Sequence, residues 1–186
     1  QGYNIIFGTT FGYIDAMAEM AEEYPDVIFL HCSGYLNNDT NFANYFGKMY
    51  QPRYLSGLAA GAMTDSNKIG YVAAFPIPEV IRGINAFAAG VNEVNPDATV
   101  EVVWTFTWFG PEAETQAANA LLETGADVLA QHQDSTATGL AAEAAGAKWI
   151  SYNTAYGKDS APEAFVTAPV WDWGPYYVDI VESIID

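Results

Sequence analysis

The sequence is poor in positive charge. Its 186 residues contain 6 Lys and Arg against 23 Asp and Glu, which gives a formal net charge of −17 at pH 7. Nucleic acids and anionic membranes are bound through clustered cations, so the composition argues against both as direct partners and disfavours a phosphorylated ligand. Hydrated carboxylates keep proteins soluble at high salt, so one hypothesis is a surface adapted to a high-salt environment. The alternative is an acidic protein without that adaptation.

Residues that perform catalysis or hold metals are also scarce. The only cysteine, Cys32, excludes an intrachain disulfide, and its place after VIFLH predicts a small buried residue at a strand end. The two histidines, His31 and His132, follow different predicted strands, and neither is paired by spacing with an acid or a nucleophile. A G-x-S-x-G elbow, a phosphate-binding loop and a Cys/His zinc spacing are absent from the sequence. We therefore predict a binding protein rather than an enzyme, without a metal or cofactor.

Long apolar runs and recognisable terminal signals are missing as well. No run approaches the length of a transmembrane helix, and the chain does not open on a signal peptide. It begins with QGYNIIFGTTFG, inside a strand-like pattern, and ends with VESIID, inside a helical one. We therefore expect an internal part of a longer protein.

The chain does contain a regular alternation of short apolar runs and amphipathic stretches. The runs predict strands at residues 3–10, 26–34, 68–75, 102–108, 126–133, 147–153 and 163–170. The stretches predict helices at residues 12–25, 41–64, 78–94, 111–125, 134–146 and 171–186. Such alternation indicates an α/β fold of parallel sheets with helices on both faces.

A polar break, TDSNK, divides this pattern into two parts. Residues 1–65 hold two predicted strands and two helices, too few for an independent domain, and form part of an N-terminal lobe. Residues 66–175 hold five predicted strands and form the C-terminal lobe, and residues 176–186 form a helix leading back toward the hinge.

Ligands of open parallel sheets bind beyond the carboxyl ends of the strands. The residues at these predicted ends are aromatics, amides and hydroxyls with one acid, and no Lys or Arg is among them. They are Thr9 to Phe11, Ser33 to Tyr35, Phe75 and Pro76, Thr107 to Phe109, Gln131 to Asp134 and Tyr152 to Thr154. This set suits a flat, neutral, hydrogen-bonding molecule that stacks on an aromatic face, and a sugar is the second option.

The aromatic stretch VVWTFTWFGPEAE contains both mid-strand aromatics and aromatics at a strand end. Strand alternation places Trp104 and Phe106 in the core, whereas Trp108 stands at the strand end and is predicted to face the ligand. Alternation turns Phe109 away from Trp108, toward packing.

Several polar and aromatic positions keep two interpretations. Asp134 is either a ligand-binding acid or a helix N-cap, with Ser135 as the other candidate cap. His132 is either a site residue or a packed histidine. In WDWG, we expect Trp171 or Trp173 to have a site role beside the helix start.

The sequence resembles the basic membrane protein (BMP) family of ABC-transporter substrate-binding lipoproteins over essentially all 186 residues. The resemblance rests on GTTFGYIDAM, YPDVIFLHCSGY, KIGYVAAFPIPEVIRGINAFAAGVNEVNPDATVEVVWTFTWFGP, ADVLAQHQDS and VWDWGPYY, with AFPIPEVIRGINAF the most specific block. It implies a type I periplasmic-binding-protein fold, in which two lobes close over a ligand and the closed form docks on a membrane permease. It also implies an extracytoplasmic, lipid-anchored protein.

The resemblance further implies a purine nucleoside or nucleobase as ligand. A stacking aromatic of the family's nucleoside receptors falls on Trp108, a ribose-binding acid falls near Asn153, and a lysine falls near Trp171. The last two departures favour a free base such as adenine. The predicted ligand-binding residues are Thr10, Phe11, Trp108, Gln133, Asp134, Asn153, Trp171 and Asp172.

Two other classes of function also fit the sequence. One is a sugar-binding protein or a ligand-sensing regulatory module of the same fold, the latter needing a DNA-binding headpiece upstream. Another is a nucleoside hydrolase, which would need a calcium-binding acid cluster, whereas FGYIDAM offers a lone Asp15.

Overall fold

A computed structural model describes residues 2–185 of the chain, which divides into two compact units, Gln1–Gly47 and Lys48–Asp186. The first helix of the second unit, Tyr50–Met63, lies in the stretch that the sequence assigns to the N-terminal lobe. The division of the whole protein into lobes near residue 65 stays a prediction.

The first unit contains a three-stranded parallel sheet in the order β1-β2-β3. Its elements are β1 (Ile5–Gly8), a 3-10 turn (Phe11–Tyr13), α1 (Ile14–Glu23), β2 (Ile28–Cys32) and β3 (Phe42–Tyr45). Ile14, Met17 and Ala21 of α1 pack against Phe29 and Phe42 as the core of this unit. Cys32 is buried at the end of β2, as predicted.

Strand β3 corrects the prediction of one continuous helix over residues 41–64. Phe42 and Tyr45 are buried in a strand that pairs in parallel with β2, and the helix starts only at Tyr50. The apolar and aromatic side chains at 42, 46, 49 and 50 match helical spacing, so the sequence pattern could not separate the two elements.

The second unit contains a five-stranded parallel sheet in the order β5-β4-β6-β7-β8, with the predicted number of strands. The strands are β4 (Lys68–Ala73), β5 (Thr99–Trp104), β6 (Val128–Gln131), β7 (Lys148–Ile150) and β8 (Phe165–Thr167). The helices are α2 (Tyr50–Met63), α3 (Pro78–Val94), α4 (Pro111–Glu123), α5 (Ala137–Ala145), α6 (Gly157–Ser160) and α7 (Gly174–Ile185).

Helices cover both faces of this sheet. Ile69, Tyr71 and Ala73 of β4 face a core shared with α2 and α3, whereas Val72 faces a second core shared with α4 and α5. Because side chains alternate along a strand, the continuous apolar run of β4 fills both cores. The α/β fold class is confirmed.

Glycines set the distance between α2 and α3. A Cβ on Gly57 would lie 2.1 Å from the carbonyl oxygen of Phe87, and one on Gly90 would lie 2.1 Å from that of Tyr54. Both distances are far shorter than real Cβ contacts, so only glycine permits this crossing.

Within residues 2–185, no helix combines the length and apolar composition that a membrane span requires.

Candidate ligand-binding site

The strand order of the second unit locates a candidate site. Strand β4 is followed by α3 and β5 on one side, and the chain then crosses through α4 to β6 on the other side. In open parallel sheets, a reversal of this kind leaves a crevice beyond the carboxyl ends of the strands. The segments after β4, β5, β6 and β7 enter that region.

The segment after β5 departs from the predicted strand. The strand ends at Trp104, and Phe106 has a φ of 55°, in the left-handed region that bulky side chains rarely adopt. The turn reverses the alternation, so Phe106 is 63% exposed and Phe109 is 65% exposed. The predictions of packed positions for these two side chains are therefore wrong. Trp104 packs against the core, as predicted.

Five aromatic rings form a continuous series at this edge of the sheet. Phe106 contacts Phe75 edge-on, with ring centroids 6.5 Å apart, and Phe75 lies 5.2 Å from Trp108. Trp108 lies 5.7 Å from His132, and His132 lies 4.6 Å from Tyr152. Trp108 is only partly buried, so the series holds a tryptophan ring at the surface of the crevice.

A chain of hydrogen bonds lies next to Trp108. The Asn153 amide nitrogen donates to Oδ1 of Asp134 at 2.5 Å, and the Trp171 indole nitrogen donates to Oδ1 of Asn153 at 2.8 Å. The backbone N–H of Asp134 donates to the Trp108 carbonyl oxygen at 3.0 Å. Asn153 also pairs with Val170 in a parallel bridge, which places Trp171. Four predicted site residues are thus brought together.

The carboxylate of Asp134 has an unusual electrostatic environment. Part of its surface is accessible to solvent, but the surrounding atoms remove enough hydration that burial raises its pKa. The hydrogen bond from Asn153 opposes the increase, and the negative charge of Glu114 adds to it. A carboxylate in this position favours a ligand that offers N–H donors.

Asp134 is not the N-cap of α5. The N-cap residue is Thr136, whose side chain makes no capping hydrogen bond, and the Ser135 hydroxyl accepts from the Ala137 N–H at 3.2 Å. The carboxylate of Asp134 is directed to Asn153 instead.

A buried glutamate fixes the two loops that carry Trp108 and Asp134. Glu114 of α4 accepts from the Gly110 N–H at 2.9 Å and from the Ser135 hydroxyl at 2.5 Å. It is fully buried, so both hydrogen bonds form away from water. The starts of α4 and α5 are therefore tied together.

Gln133, a predicted ligand-binding residue, is fully buried, and both ends of its amide have partners within the protein. Its nitrogen donates to the Thr105 hydroxyl at 2.7 Å, and its oxygen accepts from the His132 N–H at 3.2 Å. Its contact with a ligand stays a prediction.

His132, whose ring contacts that of Trp108, is uncharged near neutral pH. Burial lowers the pKa of His132 well below 6.5, and the nearby positive charge of Arg53 lowers it further. Its Nε2 lies 3.8 Å from a carboxylate oxygen of Glu79. Among the described residues its Nδ1 has no hydrogen-bond partner.

The remaining predicted residues lie in two places. Trp171 stacks on Trp173 with ring centroids 4.7 Å apart, while Asp172 between them is exposed. Thr10 and Phe11 belong to the first unit, where the Thr10 carbonyl oxygen accepts from the His31 ring at 2.8 Å. Their roles in binding stay predictions.

Three residues near the site escaped the sequence reasoning. Phe75 and Tyr152 stand at predicted strand ends but carried no specific assignment, and Arg53 lies inside a helix. The periodic pattern held a signal for Arg53, because it shares the buried face of α2 with Gly57 and Ala60, at positions i+4 and i+7.

Among residues 2–185, no three His, Cys, Asp or Glu side chains are grouped so that they could hold a metal ion. The groups at the crevice are instead a ring face for stacking, a carboxylate and amides, which suit an organic ligand.

Comparison with known proteins adds independent findings. The family model described as "ABC transporter substrate-binding protein PnrA-like" (Bmp) matches residues 1–186. A putative ABC transporter glucose-binding protein of Haloferax volcanii is 49% identical, over 97% of this chain and 46% of that protein. A purine-binding protein of Brucella abortus is 40% identical, over 100% of this chain and 52% of that protein. The chain thus spans about half the length of these relatives.

Solved structures show the same fold. An ABC transporter solute-binding protein from Conexibacter woesei aligns with a TM-score of 0.73 and 25% identity, over 98% of this chain and 62% of that chain. A transcriptional activator from Bacillus halodurans aligns with a TM-score of 0.84 and 22% identity, over 98% of this chain and 63% of that chain.

Proposed function

This chain belongs to the Bmp family of PnrA-like ABC transporter substrate-binding proteins, and from that membership we propose that it carries the binding site of an importer for a purine base. Members of this family are extracytoplasmic binding proteins and not enzymes, in agreement with the prediction from the sequence. For the full-length protein, the proposal includes a lipid anchor and docking on an ABC permease.

One observation carries the purine assignment: a tryptophan face lies beside a row of edge-binding polar groups. The Trp108 ring offers a surface for stacking, and Asp134, whose backbone N–H donates to the Trp108 carbonyl oxygen, offers a carboxylate from the neighbouring loop. A purine presents a flat π-face and N–H donors along its edge. Stacking on an aromatic side chain contributes about 1–3 kcal/mol per base.

We assign Asp134 to the exocyclic amine or ring N–H of the base. Its Oδ1 already accepts from Asn153, so Oδ2 is the acceptor that we assign to the ligand. Asn153 donates to Asp134 and accepts from Trp171, so its amide orients the carboxylate instead of binding ribose. This arrangement supports a free base such as adenine over a nucleoside.

The names of the relatives indicate two classes of ligand to compare, purines or their nucleosides and sugars. The Brucella abortus relative is named as purine-binding, a Lactococcus lactis relative is named as nucleoside-binding, and the Haloferax volcanii relative is named as putative glucose-binding. Sugars also stack on tryptophan, so glucose is the matched competitor for the test.

Calorimetry on the full-length protein tests the proposal with adenine, adenosine, guanine and glucose. The titrations are done in low salt and in molar salt, because the acidic composition can make folding salt-dependent. We expect adenine to bind with a Kd of about 1 μM or tighter. Glucose binding of that strength without a purine signal would overturn the purine assignment and leave the transport assignment in place.

A further inference from the structure

A fully buried arginine lies beneath the candidate site. Arg53 of α2 has no exposed surface. Its side chain crosses the bare backbone of Gly83 on α3, where an added Cβ would lie 3.8 Å from the Arg53 Cγ. None of its three guanidinium nitrogens has a hydrogen-bond partner among the described residues. A buried charge without hydrogen bonds opposes folding, so packing alone is a poor reason for its presence.

The guanidinium instead contacts ring faces. Its central carbon lies 3.9 Å from the ring centroid of Tyr152 and 5.5 Å from that of Tyr71. Both distances are within the range of cation–π attraction, and the shorter one is a direct stack. The planar guanidinium is suited to this contact, whereas a lysine ammonium is a compact point charge.

Tyr152 connects Arg53 to the surface of the site. Its ring lies 4.6 Å from that of His132, which lies 5.7 Å from that of Trp108. The next residue after Tyr152 is Asn153, the donor to Asp134. Displacement of Tyr152 would therefore disturb both the stacking face and the edge-binding carboxylate.

The charge of Arg53 also acts on His132. The groups facing that imidazole are Arg53 from α2, Glu79 from α3, Tyr152 from the segment after β7 and Trp108 from the segment after β5. Burial lowers the pKa of His132, and the charge of Arg53 lowers it further. With Arg53 removed, the Glu79 carboxylate at 3.8 Å would favour the protonated ring.

We propose that Arg53 is a positioning residue of the ligand site: stacked on Tyr152, it holds the ring series on which Trp108 rests. The proposal rests on the function proposed above. If Arg53 were only a core residue, its loss would change the stability of the fold and the charge near His132 but would leave the purine Kd unchanged.

The test compares R53M, R53K and the control R82M in the full-length protein. Arg82 is also stacked on a tyrosine of α2, 5.8 Å from the ring centroid of Tyr50, but it is exposed. Purine Kd is measured by calorimetry at pH 7.5 and 5.5, unfolding by thermal denaturation, and the His132 titration by NMR, with H132N for assignment.

We expect R53M to unfold at or above the wild-type temperature, because a similar-sized apolar side chain replaces an unpaired buried charge. Its purine Kd should rise about tenfold, roughly the loss of one good aromatic contact. Its His132 titration midpoint should rise, and binding should weaken further at pH 5.5 because the ring becomes protonated. R53K should keep the wild-type titration but bind more weakly, since it lacks the planar face. R82M should match the wild type in all measurements.

An unchanged purine Kd in R53M would overturn the proposal, whether or not the His132 titration shifts, because loss of the charge alone moves that titration. If R53M does not fold, R53K decides: wild-type affinity in R53K would overturn the stacking role. Absence of purine binding by the wild type would instead contradict the proposed function, while the His132 titration would still report on Arg53.

Discussion

Two aspartates at opposite ends of strand β6 have opposite environments. Asp127, before the strand, accepts from the Thr64 hydroxyl at 2.6 Å and from the N–H groups of Asp65 and Ser66 at 2.8 and 2.7 Å. Burial acts to raise the pKa of Asp127, but these hydrogen bonds outweigh it and the pKa is lowered. Asp134, after the strand, has a pKa raised by burial.

The same contrast extends to the neighbouring side chains. At the amino end of the sheet, Lys68 donates to the Thr124 carbonyl oxygen at 2.8 Å, and Asn95 donates to the Asn67 side chain at 2.9 Å. At the carboxyl end, the described residues include buried polar atoms without hydrogen-bond partners, on Arg53, Tyr71 and His132. Proteins depart from local rules of stability mainly at functional sites, so this contrast supports the proposed ligand site at the carboxyl end.

The largest expected effect is on binding, from Trp108→Ala. Loss of the stacking face should raise the purine Kd by about tenfold or more, with a small change in the unfolding temperature because the ring is only partly buried. Calorimetry gives the Kd. The matched control is Phe109→Ala, which removes a neighbouring ring that is 65% exposed and should leave the Kd unchanged. Equal losses in both variants would contradict the special position of Trp108.

Asp134→Asn separates binding from stability. We expect the purine Kd to rise about tenfold, the loss of a hydrogen bond to a charged acceptor. Folding raises the pKa of Asp134, so the ionised carboxylate opposes folding above its unfolded pKa of about 3.9. At pH 7 the variant should therefore unfold at the same or a higher temperature.

The same shift predicts a pH dependence for the wild type. Purine binding should be constant near neutrality and should weaken as the pH falls through the raised pKa of Asp134, because protonation removes the acceptor. Calorimetry across this range checks it. If the purine binding constant of the wild type did not change on acidification, Asp134 would not be the titrating group. The same would follow if Asp134→Asn still lost purine affinity at low pH.

Asp127→Asn should lower the stability of the fold, in contrast to Asp134→Asn. The amide retains one acceptor but no charge, so the free energy of unfolding should fall by about 1 kcal/mol, a modest figure because the carboxylate is partly exposed and screened. Since folding lowers the pKa of Asp127, the wild-type contribution is present above the unfolded pKa and is lost as the pH falls through the lowered value. Urea titration measures the loss, and the purine Kd should not change.

The smallest expected effect concerns the backbone at Phe106. Asparagine tolerates the left-handed region better than phenylalanine does, so Phe106→Asn should raise the free energy of unfolding by about 0.5 kcal/mol. The exposed ring contributes little burial to lose. A few-fold weaker purine binding in the same variant would indicate that the strained position serves the ligand. A clear loss of stability would mean that the contact with Phe75 matters more than the strain.

The sequence predicted the architecture better than the local geometry of the site. The predicted helix starts at Pro78 and Pro111 and the predicted stop near Gly125 agree with the structure, because these residues restrict or free the backbone directly. The strand β3 was missed because its two buried aromatics, Phe42 and Tyr45, also fit a helical stripe.

The site was only partly predictable. The structure brings Trp108, Asp134 and Asn153 together, as expected from the convergence of strand ends at one edge of a parallel sheet, and their role in binding stays a prediction. The exposed position of Phe106 could not be predicted, because phenylalanine rarely adopts a positive φ and the sequence gives no sign of one there. The connection of Arg53 to Tyr152 depends on how α2 packs, a tertiary contact between residues 99 positions apart that local patterns do not encode.

The glycine crossing of α2 and α3 has a consequence for how such proteins diversify. At Gly57 and Gly90 any side chain collides with the opposing main chain, so a substitution at either position would force the two helices apart. Trp108 and Asp134 lie in loops and are partly accessible to solvent, so they are not held by such a crossing, whereas Asn153 has a φ of 62°, which few other side chains adopt readily. Under the proposed function, exchange of the loop side chains would therefore alter ligand preference and leave the packing of α2 on α3 intact.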